Sequence, residues 1–202
     1  MTTLVIGLYI ACNIIANVTA SKSVMVGGIV VPAAVFIYSL TFTLIDLINE
    51  RLGKEGARQV VYAGFAANLL LAGYSWFAVA LPPAPFYQGQ EAFAGVLGST
   101  PRIVFASLTA YLVSSLIDVQ FFAWWRERIG RGKWMRVLAS NAVSTLVDSI
   151  VFISIAFWGV LPVLPLIQGQ YIVKMAVTVV SIPLIYLIRR ERASARGEKL
   201  DF

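Results

Sequence analysis

The sequence predicts an all-α integral membrane protein with six transmembrane helices. Hydrophobic residues make up 59% of the 202 positions and charged residues only 13%, which is about half the charged fraction of a typical soluble domain. The apolar residues form long, evenly apolar segments rather than amphipathic stripes. The basic residues lie in short clusters between those segments, a pattern typical of membrane topology signals.

The spans are predicted from the length of each apolar segment, because about 20 apolar residues cross a bilayer core of roughly 30 Å. The six predicted spans are residues 4–20, 32–48, 60–81, 103–123, 137–160 and 168–188. The first has no basic region before it and is followed by further spans, so it is interpreted as a retained helix rather than a secretion signal. No break in composition divides residues 1–202, which predicts a single transmembrane domain. The outer loop 81–101 is rich in Pro and Gly, and no helix is predicted there.

The orientation of the spans follows from the distribution of positive charge. Thirteen of the sixteen basic residues follow the second, fourth and sixth spans. The positive-inside rule therefore predicts that both termini are cytoplasmic, with residues 189–202 forming a basic cytoplasmic tail. Three spans followed by three more also permit a 3+3 inverted arrangement around a site at the midplane.

The composition excludes several classes of function. The formal net charge of +6 does not indicate a nucleic-acid partner, because the basic residues do not form one exposed face. Histidine is absent and Cys12 is the single cysteine, so the usual zinc ligands and a Ser–His catalytic pair are missing. No nucleotide-binding loop or intramembrane protease motif is present. The chain is therefore predicted not to be an enzyme, and no cofactor, metal site or catalytic residue is expected.

Ionisable residues inside the predicted spans are the main candidates for a functional site. A charge at the bilayer centre costs about 2.5 to 3.5 kcal/mol on insertion scales, so it needs a compensating reason. Asp148 lies near the middle of the fifth span and is the strongest candidate, whereas Asp118 lies toward the cytoplasmic end of the fourth. Lys174 lies near the outer end of the sixth span, where its long stem either reaches the surface or reaches Asp148. The structural alternative is a buried ion pair that only fixes helix packing.

Less deeply placed polar residues form a second group of candidates. Asp46 and Glu50 lie one helical turn apart at the cytoplasmic end of the second span, where they contribute either to the site or to loop salt bridges. Ser144 belongs to a set of small and hydroxylic residues in the fourth and fifth spans, which favours either close helix contact or a polar cavity. Three asparagines, Asn17, Asn68 and Asn141, can add amide groups to such a cavity.

Motifs along nearly the whole chain resemble one known family in order and spacing. The matching segments are Asn17 with Ala20-Ser21-Lys22, Gly27-Gly28, Asp46 through Glu50 to Gly53-Lys54, Pro101-Arg102-Ile103, Trp134-Met135-Arg136, Ser140 through Asp148, and Tyr171 through Lys174 to Pro183. The family is that of the queuosine precursor transporters, also called the vitamin uptake transporter family. One departure is that Ser115 and Thr145 stand where a glutamine is expected after the serine of the fourth and fifth spans.

The resemblance implies a multi-pass carrier in the inner membrane that imports a purine-like solute, a 7-cyano- or 7-aminomethyl-7-deazaguanine precursor of queuosine. The candidate substrate-binding residues are then Asp148, Lys174, Asp118, Asn17, Arg102, Ser144, Asp46 and Glu50. A guanine-like base presents two adjacent N–H donors that one carboxylate can accept, and an oxygen that an ammonium or amide group can satisfy. Phe152 or Tyr171 could stack on the ring.

The same family is similar to the membrane subunits of energy-coupling-factor vitamin transporters, which bind substrate and borrow an ATPase module. The alternative hypothesis is therefore a substrate-binding subunit of such an ATP-driven transporter. Ala16 and Ala20 form a small-residue face on the first helix that is suited to docking a partner. The partners expected are thus the lipid bilayer and either an ATPase module or a second copy of the chain.

Overall fold

The computed structural model of the protein describes residues 2–128, 133–177 and 179. Within these ranges, the side chains of several residues, Asp46, Glu50 and Asp118 among them, lie outside the description. The elements follow the order α1 (Thr2–Thr19), β1 (Ser23–Val26), β2 (Ile29–Pro32), α2 (Ala34–Ala80), α3 (Gln90–Leu97), α4 (Thr100–Arg128) and α5 (Lys133–Phe157). A further apolar helix, α6, covers Val163–Val177.

The described helices have the length and hydropathy of membrane spans. Four helical segments of this part of the chain are long and apolar enough to cross a bilayer, namely Thr2–Thr19, Arg51–Ala80, Gln90–Ile117 and Ala139–Phe157. Two shorter apolar helices, Ala34–Asn49 and Val163–Val177, overlap the second and sixth predicted spans. The rest of the sixth span, from residue 180 onward, and the basic tail 189–202 lie outside the described residues. The predicted class, a mostly helical membrane protein, is confirmed.

Two of the predicted spans lie within α2, which is interrupted at Gly53. The φ of 72° and ψ of 179° at Gly53 belong to a backbone region that is essentially open only to glycine. Ile48 precedes the break, Ala57 and Val60 follow it, and all three are buried in one cluster with Tyr9 of α1. The two arms of α2 therefore fold against each other. The loop predicted between these spans is largely helical, because its Glu, Lys, Arg and Ala residues are good helix formers.

Gly53→Ala is expected to destabilise the protein by about 1 to 3 kcal/mol, the usual cost of a residue in such a backbone region. A Cβ at Gly53 would meet no atom within 4 Å, so the effect comes from the backbone alone. Thermal unfolding in detergent should show a lower midpoint for this variant. Gly73→Ala is the matched control, because Gly73 also has open space around it but lies in a regular helix, where alanine is favoured. Equal midpoints for the two variants would contradict the kink.

A β-hairpin connects α1 to α2. Its register pairs Val26 with Ile29, and the two turn residues Gly27 and Gly28 have φ values of 57° and 82°, as a two-residue type I′ turn requires. The hairpin packs on α6, where a side chain at Gly169 would overlap the carbonyl oxygen of Val30. This contact joins the first half of the chain to the last described helix.

One element contradicts the sequence analysis. The prediction that the loop 81–101 contains no helix is wrong, because α3 occupies Gln90–Leu97. Three of the four prolines of this loop, Pro82, Pro83 and Pro85, precede residue 90, and the fourth, Pro101, follows the end of α3. A proline restricts chiefly its own backbone and the residue before it, so none of them interrupts this segment. Glu91 in the first turn of α3 is favourable at the positive end of the helix dipole.

Small buried residues form the core in which the helices pack against one another. It includes Ala16 and Ala20 of α1, Ala34 of α2, Ala106 of α4 and Ala156 of α5, each 7% exposed or less. Small side chains let helix backbones approach closely, which is the main source of packing energy between helices in lipid. The face formed by Ala16 and Ala20 is therefore covered by other helices of the same chain. The prediction that this face docks a partner is wrong.

Candidate functional site

An ion pair between α5 and α6 is the centre of the candidate site. The Nζ of Lys174 donates to Oδ2 of Asp148, and the two side chains are only 5% and 15% exposed. The stem of Lys174 thus reaches toward Asp148 rather than toward the surface. Two charges held away from water are costly, and such a pair is seldom the best way to stabilise a core. This arrangement therefore favours a functional reason for the pair.

The ammonium group of Lys174 also lies over an aromatic ring. Its Nζ is 5.0 Å from the ring centroid of Tyr38 on the first arm of α2, a distance at which the ring face attracts a cation. Phe42, one helical turn further on, packs edge-to-face against Tyr38 with 5.4 Å between the ring centroids. The rings of Tyr38 and Phe42 on α2 thus border the same cavity as the ion pair.

A small cavity of about 30 Å³ adjoins the pair. Most of its lining is apolar and comes from α1, α2, α4 and α5. The polar side chains that border it are Asn17, Tyr38, Ser107, Asp148, Gln170 and Lys174. A mostly apolar cavity with a few convergent polar groups is the usual form of a small-molecule site, although this volume holds only about two water molecules.

Two larger cavities lie beside the first. One, of about 170 Å³, is also bordered by Asp148, Lys174 and Tyr38, and the other, of about 100 Å³, by Tyr38 and Ser107. Tyr38 borders all three cavities. A movement of this one ring would therefore change how the three spaces connect.

A relay of buried amides fixes the orientation of Asn17. The Nδ2 of Asn68 donates to the carbonyl oxygen of Gly64 over 2.9 Å, so its Oδ1 is left to accept. The Nδ2 of Asn17 donates to that Oδ1 over 2.6 Å. This bond uses one of the two N–H groups of Asn17, so its side-chain oxygen and its second N–H are the groups that remain for the cavity. Asn68 was predicted only as a further amide group for the cavity, because its contact with Asn17 depends on how the second arm of α2 packs against α1.

Ser144 and Arg102 occupy different surroundings. Ser144 borders the cavity of about 170 Å³ together with Asp148 and Lys174, and its hydroxyl donates to the carbonyl oxygen of Asn141 over 3.3 Å. Arg102 donates instead from Nε to the carbonyl oxygen of Ile155 and from Nη2 to that of Trp158, at 2.6 and 2.8 Å. An arginine that caps the last carbonyl groups of a helix also complements the helix dipole. In the described structure Arg102 holds the end of α5.

The structure does not describe the side chains of the three remaining acidic candidates. Asp46 and Glu50 belong to α2 and Asp118 to α4, but their side chains lie outside the described residues. Their part in a site therefore stays a prediction.

Gln170 is a polar residue of the cavity that the sequence analysis did not single out. It is 3% exposed and borders the cavity of about 30 Å³. It precedes Lys174 by four residues, a spacing that places both side chains on one face of α6. That spacing is the signal that could have identified it, but an uncharged amide does not stand out in an apolar segment as a charge does.

Comparison with known proteins identifies relatives of the chain. Residues 32–188 match a protein family described as "Putative vitamin uptake transporter". The chain is 29% identical over 183 residues to a "Probable queuosine precursor transporter" of Bacillus subtilis (strain 168), a match that covers 88% of this chain and 80% of the relative. It is 30% identical over 123 residues to a "Queuosine precursor transporter" of Escherichia coli (strain K12), with 61% of this chain and 53% of the relative covered.

A third relative, a "Probable queuosine precursor transporter" of Haemophilus influenzae (strain ATCC 51907 / DSM 11121 / KW20 / Rd), is 31% identical over 124 residues, which cover 59% of this chain and 51% of the relative. The matches therefore span about half the length of the Escherichia coli and Haemophilus influenzae proteins. No solved structure matches the chain.

Proposed function

Since this chain belongs to the vitamin uptake transporter family, we propose that it imports a 7-deazaguanine precursor of queuosine, the 7-cyano or the 7-aminomethyl base, across the cytoplasmic membrane. The observation that carries the proposal is the buried pair of Asp148 and Lys174 beside a cavity between membrane helices. Ionisable side chains that are buried between membrane-spanning helices mark solute pathways in membrane proteins. The names of the three curated relatives point to the same class of solute.

The side chains around the cavity complement a guanine-like base. One carboxylate can accept both the ring N–H and the adjacent amino group, and such charge-assisted, two-point contacts are strong and directional. Asp148 supplies that carboxylate, while Lys174 or the side-chain oxygen and second N–H of Asn17 serve the other polar atoms. The ring of Tyr38, which already faces the ammonium of Lys174 at 5.0 Å, offers a surface for stacking, and Phe152 borders the same cavity.

Loading a base requires the site to open. The cavity of about 30 Å³ is smaller than a bicyclic base, but it shares Tyr38, Asp148 and Lys174 with the neighbouring cavity of about 170 Å³. In the proposed mechanism, the Tyr38 ring and the Lys174 ammonium move as the base enters, and the carboxylate of Asp148 exchanges part of its contact with Lys174 for the N–H groups of the base.

The proposed architecture has six spans in one domain, with both termini and the basic tail 189–202 in the cytoplasm. Its support is that helices alternate in direction along the described chain. Asn17 contacts Asn68 and Tyr9 packs near Val60, so α1 and the second arm of α2 run in parallel. The start of α4 contacts the end of α5 through Arg102, so these two helices are antiparallel. Two three-span halves that rock about the shared site would give alternating access.

Uptake by cells tests the proposed function. Cells that lack their own carrier and express this protein alone should accumulate labelled 7-cyano-7-deazaguanine above the level of cells with empty vector. The purified protein in liposomes should also transport the base without ATP or added subunits. Transport that requires an ATPase module would favour the energy-coupling-factor alternative, and no accumulation at confirmed expression would reject the proposal.

A further inference from the structure

Gln170 has an unusual combination of burial and hydrogen bonding. Its side chain is 97% removed from solvent, since only 3% remains exposed, and it borders the same cavity as Asn17, Asp148 and Lys174. Within the part of the chain that the structure describes, its carboxamide forms no hydrogen bond. By contrast, Asn17 and Asn68 are both hydrogen-bonded.

A buried amide without a partner needs an explanation. Among the residues that the structure describes, Oγ1 of Thr100 is the only fully enclosed side-chain N or O atom without a partner, so the amide oxygen and nitrogen of Gln170 remain open to the cavity. A buried polar group that lacks a protein partner is satisfied by water or by a ligand. The carboxamide of Gln170 faces a cavity too small for more than about two water molecules. It lies one turn from Lys174 on the same face of α6, so whatever occupies the space beside the ion pair also meets this amide. A solute that displaces the water beside the ion pair therefore has to satisfy the amide of Gln170 in its place.

The chemistry of a carboxamide selects the kind of edge it can meet. A carboxamide presents one acceptor oxygen beside one N–H donor, so it pairs at two points with a ring edge that carries an acceptor beside an N–H. A guanine-like base has two relevant edges. The edge with the ring N1–H and the amino group offers two donors and fits the Asp148 carboxylate. The edge with N3 and N9–H offers an acceptor beside a donor and fits a carboxamide.

We infer that Gln170 binds the N3 and N9–H edge of the base and so selects free bases over nucleosides. This inference rests on the proposed function, because it takes the solute to be a 7-deazaguanine. The side-chain oxygen of Gln170 accepts from N9–H, and its amino group donates to N3. In a nucleoside the sugar replaces the N9 proton, so the oxygen of Gln170 would face a carbon substituent and stay unpaired. A site built to bond an N–H rejects an analogue that lacks it far more strongly than a merely apolar pocket does.

Binding titrations with a series of analogues test the inference. The ligands are 7-cyano-7-deazaguanine, its 9-methyl derivative and its 3-deaza derivative, in which a C–H replaces N3. Wild-type protein should bind both derivatives at least about tenfold more weakly than the parent base, because each lacks one partner of the amide. Gln170→Met should bind the parent base more weakly and lose most of the preference over the two derivatives.

Gln168→Met is the matched control, since Gln168 lies on the same helix but is exposed. This variant should keep the affinity and the preference of the wild type. A Gln170→Met protein that still prefers the parent base as strongly as the wild type overturns the inference. So does equal binding of all three ligands by the wild-type protein, a result that does not depend on whether the variant folds. If the wild-type protein binds none of the three, the proposed function itself fails.

Discussion

Asp148→Asn is expected to abolish uptake of labelled 7-cyano-7-deazaguanine. Asparagine keeps the size of the side chain but replaces one acceptor oxygen by an N–H₂ group, which would face the N–H donors of the base. Each hydrogen bond to a charged group contributes about 1.5 to 3 kcal/mol, so the loss of a two-point contact should weaken binding by at least about 100-fold. Uptake is measured at matched expression, which is checked by immunodetection of the membrane fraction.

A control separates this loss from a general effect of removing a carboxylate. Asp201 lies in the sequence outside the six predicted spans, so Asp201→Asn should leave uptake at the wild-type level. If cells with Asp148→Asn accumulate as much base as cells with the wild-type protein at equal expression, Asp148 does not bind the solute.

Lys174→Met is expected to give the largest loss of stability among the single substitutions. The side chain of Asp148 is only 15% exposed, and removal of its cationic partner would leave a buried carboxylate uncompensated. Breaking a buried pair in this way costs about 3 to 5 kcal/mol. Thermal unfolding in detergent should therefore show a clearly lower midpoint. Lys22→Met is the matched control, because Lys22 is exposed beside the hairpin and its loss should leave the midpoint unchanged.

The double variant Asp148→Asn, Lys174→Met separates packing from function. Replacing both charges by neutral groups of similar size removes the uncompensated carboxylate, and such replacements are often neutral for stability. The unfolding midpoint should then return most of the way to the wild-type value, while uptake stays absent because the carboxylate is gone. A double variant with restored stability and restored uptake would mean that the pair serves helix packing alone.

The membrane-spanning helices could be predicted from the sequence more completely than the segments that connect them. Lipid removes the option of an exposed backbone, so a long apolar segment is almost obliged to be helical. The break in α2 depends on the backbone conformation of the single residue Gly53. The charged residues on either side of it are good helix formers, but a cluster of charges between two apolar segments is also typical of a loop between spans. The hairpin has its own signal in Gly27-Gly28 between two short apolar strands, but the sequence analysis used these glycines only as one of the motifs shared with the family. The helix α3 has only eight residues, which is too short for a helical repeat of apolar residues to be recognised.

The candidate site could be predicted in part. Asp148 and Lys174 stand out because a charge in an apolar segment is costly, and the structure brings them together. Asn17 was predicted as an amide donor or acceptor, but its orientation depends on Asn68, which lies 51 residues away in the sequence. Gln170 has no charge to mark it, and its significance lies in the absence of a partner among the described residues. Such a property is visible only when neighbouring helices are in place.

The most direct test of the proposed site is a competition titration on the purified protein with the labelled deazaguanine base. Unlabelled 7-cyano- or 7-aminomethyl-7-deazaguanine should displace the label from the wild-type protein, whereas riboflavin, biotin and thiamine should not, and Asp148→Asn protein should bind no label at the same concentration. Displacement by one of the vitamins, or undiminished binding by the folded Asp148→Asn protein, would contradict recognition of a guanine-like base at this ion pair.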